Sequence, residues 1–344
     1  MFSDVLKAEL EKEIVGQPAA IASVVRGATR VMSGLTPRER SWSASMFMGP
    51  SGTGKTQLVR TLATALHGEN RGLHVADCTH FVHGDPWASF VTQIAPMFSQ
   101  LRTEDGGWLL EAPPYSVLLI EYLERGRKEI GKAFTAALDT GRLPLPGGRL
   151  GSLRNCMVFI TTSLCAREIL EEAPRIGFHG AHGAATADDD RLSRACRIEA
   201  ESQFGEDLIG RLDALVVFHR LHDEDIAAIL DRRFDRMNRW IRTQGFDCDL
   251  APSARTFLLE RGRGDAKLGA RELVRAHRRH VEFPLADLLI SRRIPAGGAV
   301  SIEHRPGDEH LHFTVTRGTQ ATDAPAGSPA HEVPIAWEAT VTAP

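Results

Sequence analysis

Residues 49–56 read Gly49-Pro50-Ser51-Gly52-Thr53-Gly54-Lys55-Thr56, directly after an apolar run and before a segment with helical spacing. Glycines in a loop of this kind let backbone N–H groups close around phosphate oxygens, and the start of the following helix adds positive potential. Lys55 is placed to reach the β- and γ-phosphates of a nucleotide, and the Thr56 hydroxyl is a ligand for Mg²⁺. The stretch therefore predicts a phosphate-binding loop between a strand and a helix.

Short apolar runs on both sides of this loop alternate with helical patterns. These runs are 45–48, 73–76, 117–120 and 157–161. Such alternation is typical of a parallel sheet with helices on both faces, so the main fold class is expected to be α/β. The residues before the first run carry helical spacing of their own.

The pattern changes near residue 222 to that of a smaller α+β domain. A long amphipathic helix is predicted over 223–245, with shorter helices starting near residues 253 and 269. The runs 300–303 and 310–315 alternate like an antiparallel strand pair. Beyond them the chain is rich in Ala, Thr, Pro, Gly and Ser, which predicts disorder. The expected organisation is a helical segment over 1–44, an α/β core over 45–221, a small α+β domain over 222–317 and a disordered tail over 318–344.

Composition narrows the classes of partner. The formal net charge is −3, which gives no general attraction to nucleic acid or to anionic lipid, so nucleic-acid binding is not expected. We expect no membrane span, because no apolar run approaches the roughly 20 residues that one needs. The N-terminal stretch is charged and mixed, which does not resemble an export signal. The five cysteines are scattered without CxxC spacing, which is typical of reduced thiols in a cytoplasm.

Further motifs accompany the phosphate-binding loop, in a fixed order along the chain. They are Ile14-Val15-Gly16-Gln17, Pro114-Tyr115-Ser116-Val117, LDTGRL at 138–143, FGEDLIGRLDALVVF at 204–218 and Gly269-Ala270-Arg271. In order and near spacing these motifs resemble those of the Clp family of AAA+ ATPases. The resemblance is to the C-terminal ATPase module of the two-module members, and it covers about residues 10 to 316.

The resemblance implies a role for several residues. Val15 belongs to the segment that packs on adenine, and ATP with Mg²⁺ is the expected ligand of the loop at 49–56. Arg211 falls at the arginine finger, which reaches the γ-phosphate held by a neighbouring subunit. Arg271 opens the sensor-2 helix of the small domain, where it meets the γ-phosphate. A finger of this kind needs a neighbour, so the resemblance implies a ring, most simply a hexamer.

The second acidic motif departs from the family pattern. Register with the flanking motifs places Glu121 at the Mg²⁺-associated Asp position and Tyr122 at the catalytic Glu position. A glutamate still holds a metal-bound water, but a phenol does not accept a proton from the attacking water at neutral pH. Glu124 is a substitute only if the strand end is bent. At sensor 1 the family has Asn where this chain has Ser163, whose reach is shorter. These changes predict impaired hydrolysis with nucleotide binding intact.

Contacts with other proteins are indicated by two further segments. The family's pore signature is replaced by Pro96-Met97-Phe98-Ser99, which is either a weak grip on a polypeptide or part of the core, and Trp87 and Trp108 are further candidates. Ile176, Gly177 and Phe178 resemble the loop with which protease-associated Clp unfoldases dock a Clp-type peptidase. A buried turn explains the same three residues equally well.

Two functions from different classes follow. The first is a ring-forming Clp-like ATPase that remodels polypeptides, with Glu121, Ser163 and Arg211 carrying the chemistry of hydrolysis. The second is a nucleotide-binding scaffold or adaptor with little or no turnover. A nucleic-acid loader is disfavoured by the acidic net charge. A small-molecule kinase is disfavoured because it needs neither Arg211 nor the helix that Arg271 opens.

Overall fold

A computed structural model gives the fold of the chain. It describes residues 2–35, 41, 43–68, 72–80, 85–102, 108–126, 128–145, 148–171, 187–263, 268–295, 297–316 and 331–333. The chain divides into two compact units, Met1–Arg220 and Leu221–Pro344. In the described ranges, every helix is too short or too polar to cross a membrane.

The first unit is built on a five-stranded parallel sheet. Its strands are β1 (Ser43–Met48), β2 (Leu73–Asp77), β5 (Ser116–Glu121), β8 (Cys156–Thr161) and β9 (Ala214–Val217). Their spatial order is β2-β5-β8-β1-β9, and each neighbouring pair is parallel. The four apolar runs of the sequence form four of these strands, so the predicted α/β class is confirmed.

Helices cover both faces of this sheet. They are α1 (Phe2–Glu13), α2 (Pro18–Met32), α3 (Lys55–His67), α4 (Pro86–Ile94), α5 (Lys128–Thr140), α6 (Ala166–Glu171), α7 (Ala187–Phe204) and α8 (Glu206–Ile209). Alternate residues of β5 enter different cores: Val117 lies with α1–α3, and Leu118 lies with the helices of the opposite face. Because both faces are buried, β5 is apolar without alternation, as parallel strands usually are.

A second, mixed sheet lies beside the main one. Its strands are β3 (Ser99–Arg102), β4 (Trp108–Glu111), β6 (Arg142–Leu145) and β7 (Arg149–Ser152), in the order β3-β4-β7-β6. Just before β3, a 3₁₀ turn continues α4 and buries Met97, which is 1% exposed.

At Met97 the structure agrees with the core alternative, because the turn directs that side chain into the core. Phe98 and Trp87 are partly buried against the same core. The side chain of Trp108 lies outside the described residues.

The second unit combines helices with a small sheet. Its elements are α9 (Asp223–Thr243), β10 (Asp247–Leu250), α10 (Pro252–Gly262), α11 (Arg271–His277), α12 (Phe283–Ile290), β11 (Ala299–His304), β12 (Leu311–Thr316) and β13 (His331–Val333). A π-helical turn joins α11 to α12. The sheet order is β10-β11-β12-β13, and the predicted antiparallel pair is β11 and β12. The smaller α+β domain expected after the core is thus confirmed.

Within the tail predicted to be disordered, the structure describes only β13. Residues 331–333 pair antiparallel with β12, with Phe313 opposite Val333. Without them β12 would be an edge strand, whose free backbone groups readily accept another strand. The other residues of 318–344 lie outside the described part of the chain.

Candidate nucleotide-binding site

The phosphate-binding loop joins β1 to α3, as the sequence predicts. Gly49, Gly52 and Gly54 all have positive φ, at 128°, 74° and 105°. A Cβ atom added at Gly49 would lie 2.5 Å from the carbonyl oxygen of Phe218, so only glycine fits there. By contrast, a Cβ at Gly54 would meet no atom of the described residues within 4 Å. The backbone of the loop is therefore bent in a way that depends on its glycines.

Two side chains stabilise the loop by hydrogen bonds to its own carbonyl groups. The Lys55 ammonium group donates to the carbonyl oxygens of Gly49 and Pro50, at 2.7 and 2.6 Å. The buried Thr53 hydroxyl also donates to Pro50, at 2.9 Å. Because the N-cap residue of α3 is Gly54, it has no side chain with which to cap the first turn of this helix. A glycine-rich bend before an uncapped helix start suits a phosphate group, since the first N–H groups of a helix lack partners within it.

Thr56 and Glu121 lie together beside this loop. The Thr56 hydroxyl donates to Glu121 Oε1 at 2.5 Å, although the two residues are 65 positions apart. Glu121 ends β5, and both side chains are partly buried. Mg²⁺ prefers oxygen ligands from a hydroxyl or a carboxylate. The pair therefore has the donor atoms that a magnesium ion beside a phosphate requires.

The chain turns sharply at Tyr122. Its φ of 57° lies in the left-handed region, which is uncommon for a residue other than glycine. The Tyr122 N–H still donates to Thr161 at 3.0 Å, and the Arg125 guanidinium lies over its ring at 5.0 Å. Leu123–Arg125 then form a 3₁₀ turn. The end of β5 is thus bent.

This bend places Glu124 against Ser163. Glu124 Oε1 accepts from the backbone N–H of Ser163 at 2.9 Å and from its hydroxyl at 2.7 Å. Ser163 follows β8 directly, and the N–H of the preceding Thr162 donates to Phe47 in β1 at 3.0 Å. The predicted sensor residue is therefore fixed between the strand that carries Glu121 and the strand that carries the phosphate-binding loop.

Gln17 anchors the segment predicted to contact adenine. This side chain is 2% exposed and bridges to residue 219, 202 positions away. Its amide group donates to the His219 carbonyl at 2.8 Å, and its oxygen accepts from the His219 N–H at 3.1 Å. Val15 lies two residues earlier and is partly buried. Sequence reasoning included Gln17 in a motif but missed this bridge, because its partner is remote in the chain.

Arg211 is held by two aspartates of its own unit. Its Nε atom lies 2.6 Å from a carboxylate oxygen of Asp139, and Nη1 donates to the backbone carbonyl of Asp207 at 2.5 Å. The neighbouring Asp139 carboxylate raises the pKa of Arg211 above its ordinary value. Asp139 belongs to the LDTGRL motif, so two motifs that the sequence placed far apart meet here. The role of Arg211 toward a neighbouring subunit stays a prediction.

The remaining predicted residues lie outside this cluster or outside the described residues. Arg271 is exposed at the start of α11 in the second unit. Ile176, Gly177 and Phe178 fall in 172–186, outside the described ranges. Their assignments stay predictions.

Comparison with known proteins agrees with this geometry. Residues 40–215 match the family model of the AAA domain, Cdc48 subfamily, and these residues make up half of the chain. The chain belongs to this AAA family. Residues 221–302 match a second model, the C-terminal D2-small domain of ClpB protein. The chain is therefore a Clp-type AAA+ module, as its motifs predict.

Several curated proteins are similar along most of the chain. An "ATP-dependent Clp protease ATP-binding subunit ClpC" of Staphylococcus saprophyticus is 27% identical over 322 residues, which cover 92% of this chain and 38% of the relative. A "Chaperone protein ClpB" of Rhizobium meliloti is 29% identical over 308 residues, which cover 89% of this chain and 34% of the relative. The AAA module thus spans little more than a third of these relatives.

Proposed function

We propose that this AAA module binds ATP with Mg²⁺ and works as a ring-forming ATPase that remodels polypeptides. The observation that carries the proposal is the phosphate-binding loop beside the Thr56–Glu121 pair. The names of the similar proteins, an ATP-binding subunit of a protease and a chaperone, point in the same direction.

Each part of the nucleotide would have its own contacts. Lys55 would exchange its two carbonyl partners for the β- and γ-phosphates, because an ammonium group interacts more strongly with an anion than with a neutral carbonyl. Thr56 and Glu121 would hold the magnesium ion, which supplies neutralisation of charge on the phosphates. Val15 would pack on adenine, held in place by the Gln17 bridge.

Subunits would meet in a ring, most simply a hexamer. Arg211 would leave Asp139 to reach the nucleotide of a neighbouring subunit, and Arg271 would sense the γ-phosphate from the lid domain. We propose the helical segment, core and lid over 1–44, 45–221 and 222–317. A polypeptide is the proposed client, and Ile176–Phe178 is the proposed docking segment for a Clp-type peptidase.

One observation favours a second candidate, a nucleotide-binding scaffold with little turnover. Tyr122 stands where the resemblance implies a catalytic glutamate, and its phenol is a poor acceptor for a water proton at neutral pH. In that case ATP would stabilise the ring without being consumed.

Phosphate release under saturating Mg·ATP separates the two candidates. We would measure the wild-type protein, a Lys55→Ala variant and a Tyr122→Glu variant, and follow ATP binding by the fluorescence of a labelled nucleotide. Turnover by the wild type well above that of Lys55→Ala supports the remodelling ATPase. A silent wild type that still binds ATP, together with an active Tyr122→Glu variant, supports the scaffold.

A further inference from the structure

The turn after β5 delivers a carboxylate to the sensor residue. Glu124 lies three residues after the end of the strand, yet its Oε1 atom accepts both the N–H and the hydroxyl of Ser163, at 2.9 and 2.7 Å. The left-handed backbone of Tyr122 makes this possible, because it redirects the chain within one residue. The bent chain therefore brings a carboxylate to Ser163 from position 124, and not from position 122, where the Clp family has its catalytic glutamate.

The direction of these hydrogen bonds limits what Ser163 can do. A serine hydroxyl has one proton and two lone pairs. Because the proton points to Glu124, the Ser163 oxygen can only accept from a third group. A water molecule at the sensor position would then donate its proton to Ser163 and direct a lone pair away from it. The Glu124–Ser163 pair would therefore hold this water molecule in a single orientation, with its proton toward Ser163.

The second oxygen of Glu124 is an independent sign of a missing partner. Glu124 Oε2 is buried and has no hydrogen-bond partner among the described residues. A buried polar atom without a partner is costly, and more so when it carries charge. Folded proteins keep such atoms rarely, and usually where a ligand or a water completes them. The carboxylate is held at one oxygen, while the other still has capacity to accept.

We propose that Glu124, acting through Ser163, accepts the proton in ATP hydrolysis that Tyr122 is unable to accept. This inference rests on the proposed ATPase function. As the water oxygen bonds to the γ-phosphorus, the bond from that phosphorus to the bridging oxygen breaks and leaves its electron pair on ADP. The water proton moves to Ser163 Oγ while the serine's own proton moves to Glu124 Oε1. The products are ADP, phosphate and a protonated Glu124, which returns its proton to solvent.

Glu124→Gln tests this proposal against a purely structural role. The glutamine amide oxygen still accepts both hydrogen bonds from Ser163 but takes up no proton. A structural role therefore predicts near wild-type turnover in Glu124→Gln. The proton-accepting role predicts a fall in kcat of about 100-fold or more. The Kd for labelled ATP should stay within about threefold, and amide hydrogen exchange at Ser163 should stay as slow as in the wild type. Glu168→Gln, an exposed carboxylate on α6, is the matched control.

Ser163→Ala provides a second test that leaves the backbone contact in place. Its N–H still donates to Glu124, so the variant should fold even if Glu124→Gln does not. We expect the same loss of kcat, and no further loss when the two substitutions are combined, because both interrupt one relay. Adding Tyr122→Glu to Glu124→Gln should restore turnover.

The outcomes separate this inference from the function on which it rests. An active wild type with equally active Glu124→Gln and Ser163→Ala variants would overturn the role of Glu124 and leave the ATPase standing. A wild type no faster than Lys55→Ala would overturn both. Losses that multiply in the double variant would show two independent contributions and refute the relay.

Discussion

Replacing Gln17 by alanine should destabilise the first unit, because the Gln17 side chain links two segments that are far apart in the sequence. Gln17 is 2% exposed and makes both a donated and an accepted hydrogen bond with the backbone of His219. Alanine removes both bonds and leaves the N–H and the carbonyl of His219 without their partner.

The magnitude follows from the two bonds and from the groups they leave behind. A typical hydrogen bond contributes about 1 kcal/mol net, and a buried group left unsatisfied costs about 1–3 kcal/mol. His219 is partly exposed, so water can reach some of its backbone atoms. We therefore expect the free energy of unfolding of this unit to fall by about 2–3 kcal/mol.

Urea unfolding, followed by circular dichroism, measures the change, and hydrogen exchange of 14–22 and 214–220 locates it. Gln203→Ala on the exposed face of α7 is the control, and we expect it to change stability by less than about 0.5 kcal/mol. A Gln17→Ala variant as stable as this control would refute the bridge. So would faster exchange spread over the whole unit rather than concentrated at the two segments.

Three further predictions concern the glycines, a buried histidine and the thiols. Gly49→Ala should lower the free energy of unfolding by about 3 kcal/mol or more, because its Cβ would lie 2.5 Å from a backbone oxygen. Gly54→Ala should lower it by only about 1–2 kcal/mol, through backbone strain. Equal melting temperatures of the two variants would contradict this prediction. Burial lowers the pKa of His277 from 6.5 to about 4, so its neutral form stabilises the second unit above pH 6.5 and that contribution is lost as the pH falls toward 4. The loss is up to about 3 kcal/mol, and urea unfolding at pH 7.5 and 4.5 should show a smaller pH dependence in His277→Gln than in the wild type. All five cysteines are buried, and burial raises the pKa of Cys78 and Cys248 to about 12, so a thiol reagent at pH 8 should label five thiols only after denaturation.

Four strands of the main sheet were predictable, because each forms a short apolar run that can be recognised in the sequence. Continuous apolar runs identify β5 and β8, and the loop at 49–56 marks the end of β1. The side sheet of β3, β4, β6 and β7 was not predicted. Its strands have four residues each, and β6 alternates buried and exposed positions over too short a length to stand out. Short strands depend on pairing partners that a local pattern does not reveal.

The same difference between local patterns and long-range contacts applies to the candidate site. Lys55 and Thr56 were identified from neighbouring residues alone, since the loop is local. The contact between Glu124 and Ser163 required a left-handed residue at position 122, and a tyrosine gives no hint of that conformation. The ion pair of Arg211 with Asp139 likewise joins two motifs through packing and not through spacing.

The order of the central strands has a consequence for how such a site changes over time. β5, β8 and β1 are adjacent, and neighbouring strands lie about 4.8 Å apart. Groups that follow the carboxyl ends of all three strands therefore start within about 10 Å of each other, since β5 and β1 are two strand spacings apart. A substitution that removes one functional group can be compensated by a loop change on the next strand, with no rearrangement of the sheet. The arrangement of these three strands therefore allows single functional groups to be replaced while the sheet stays the same.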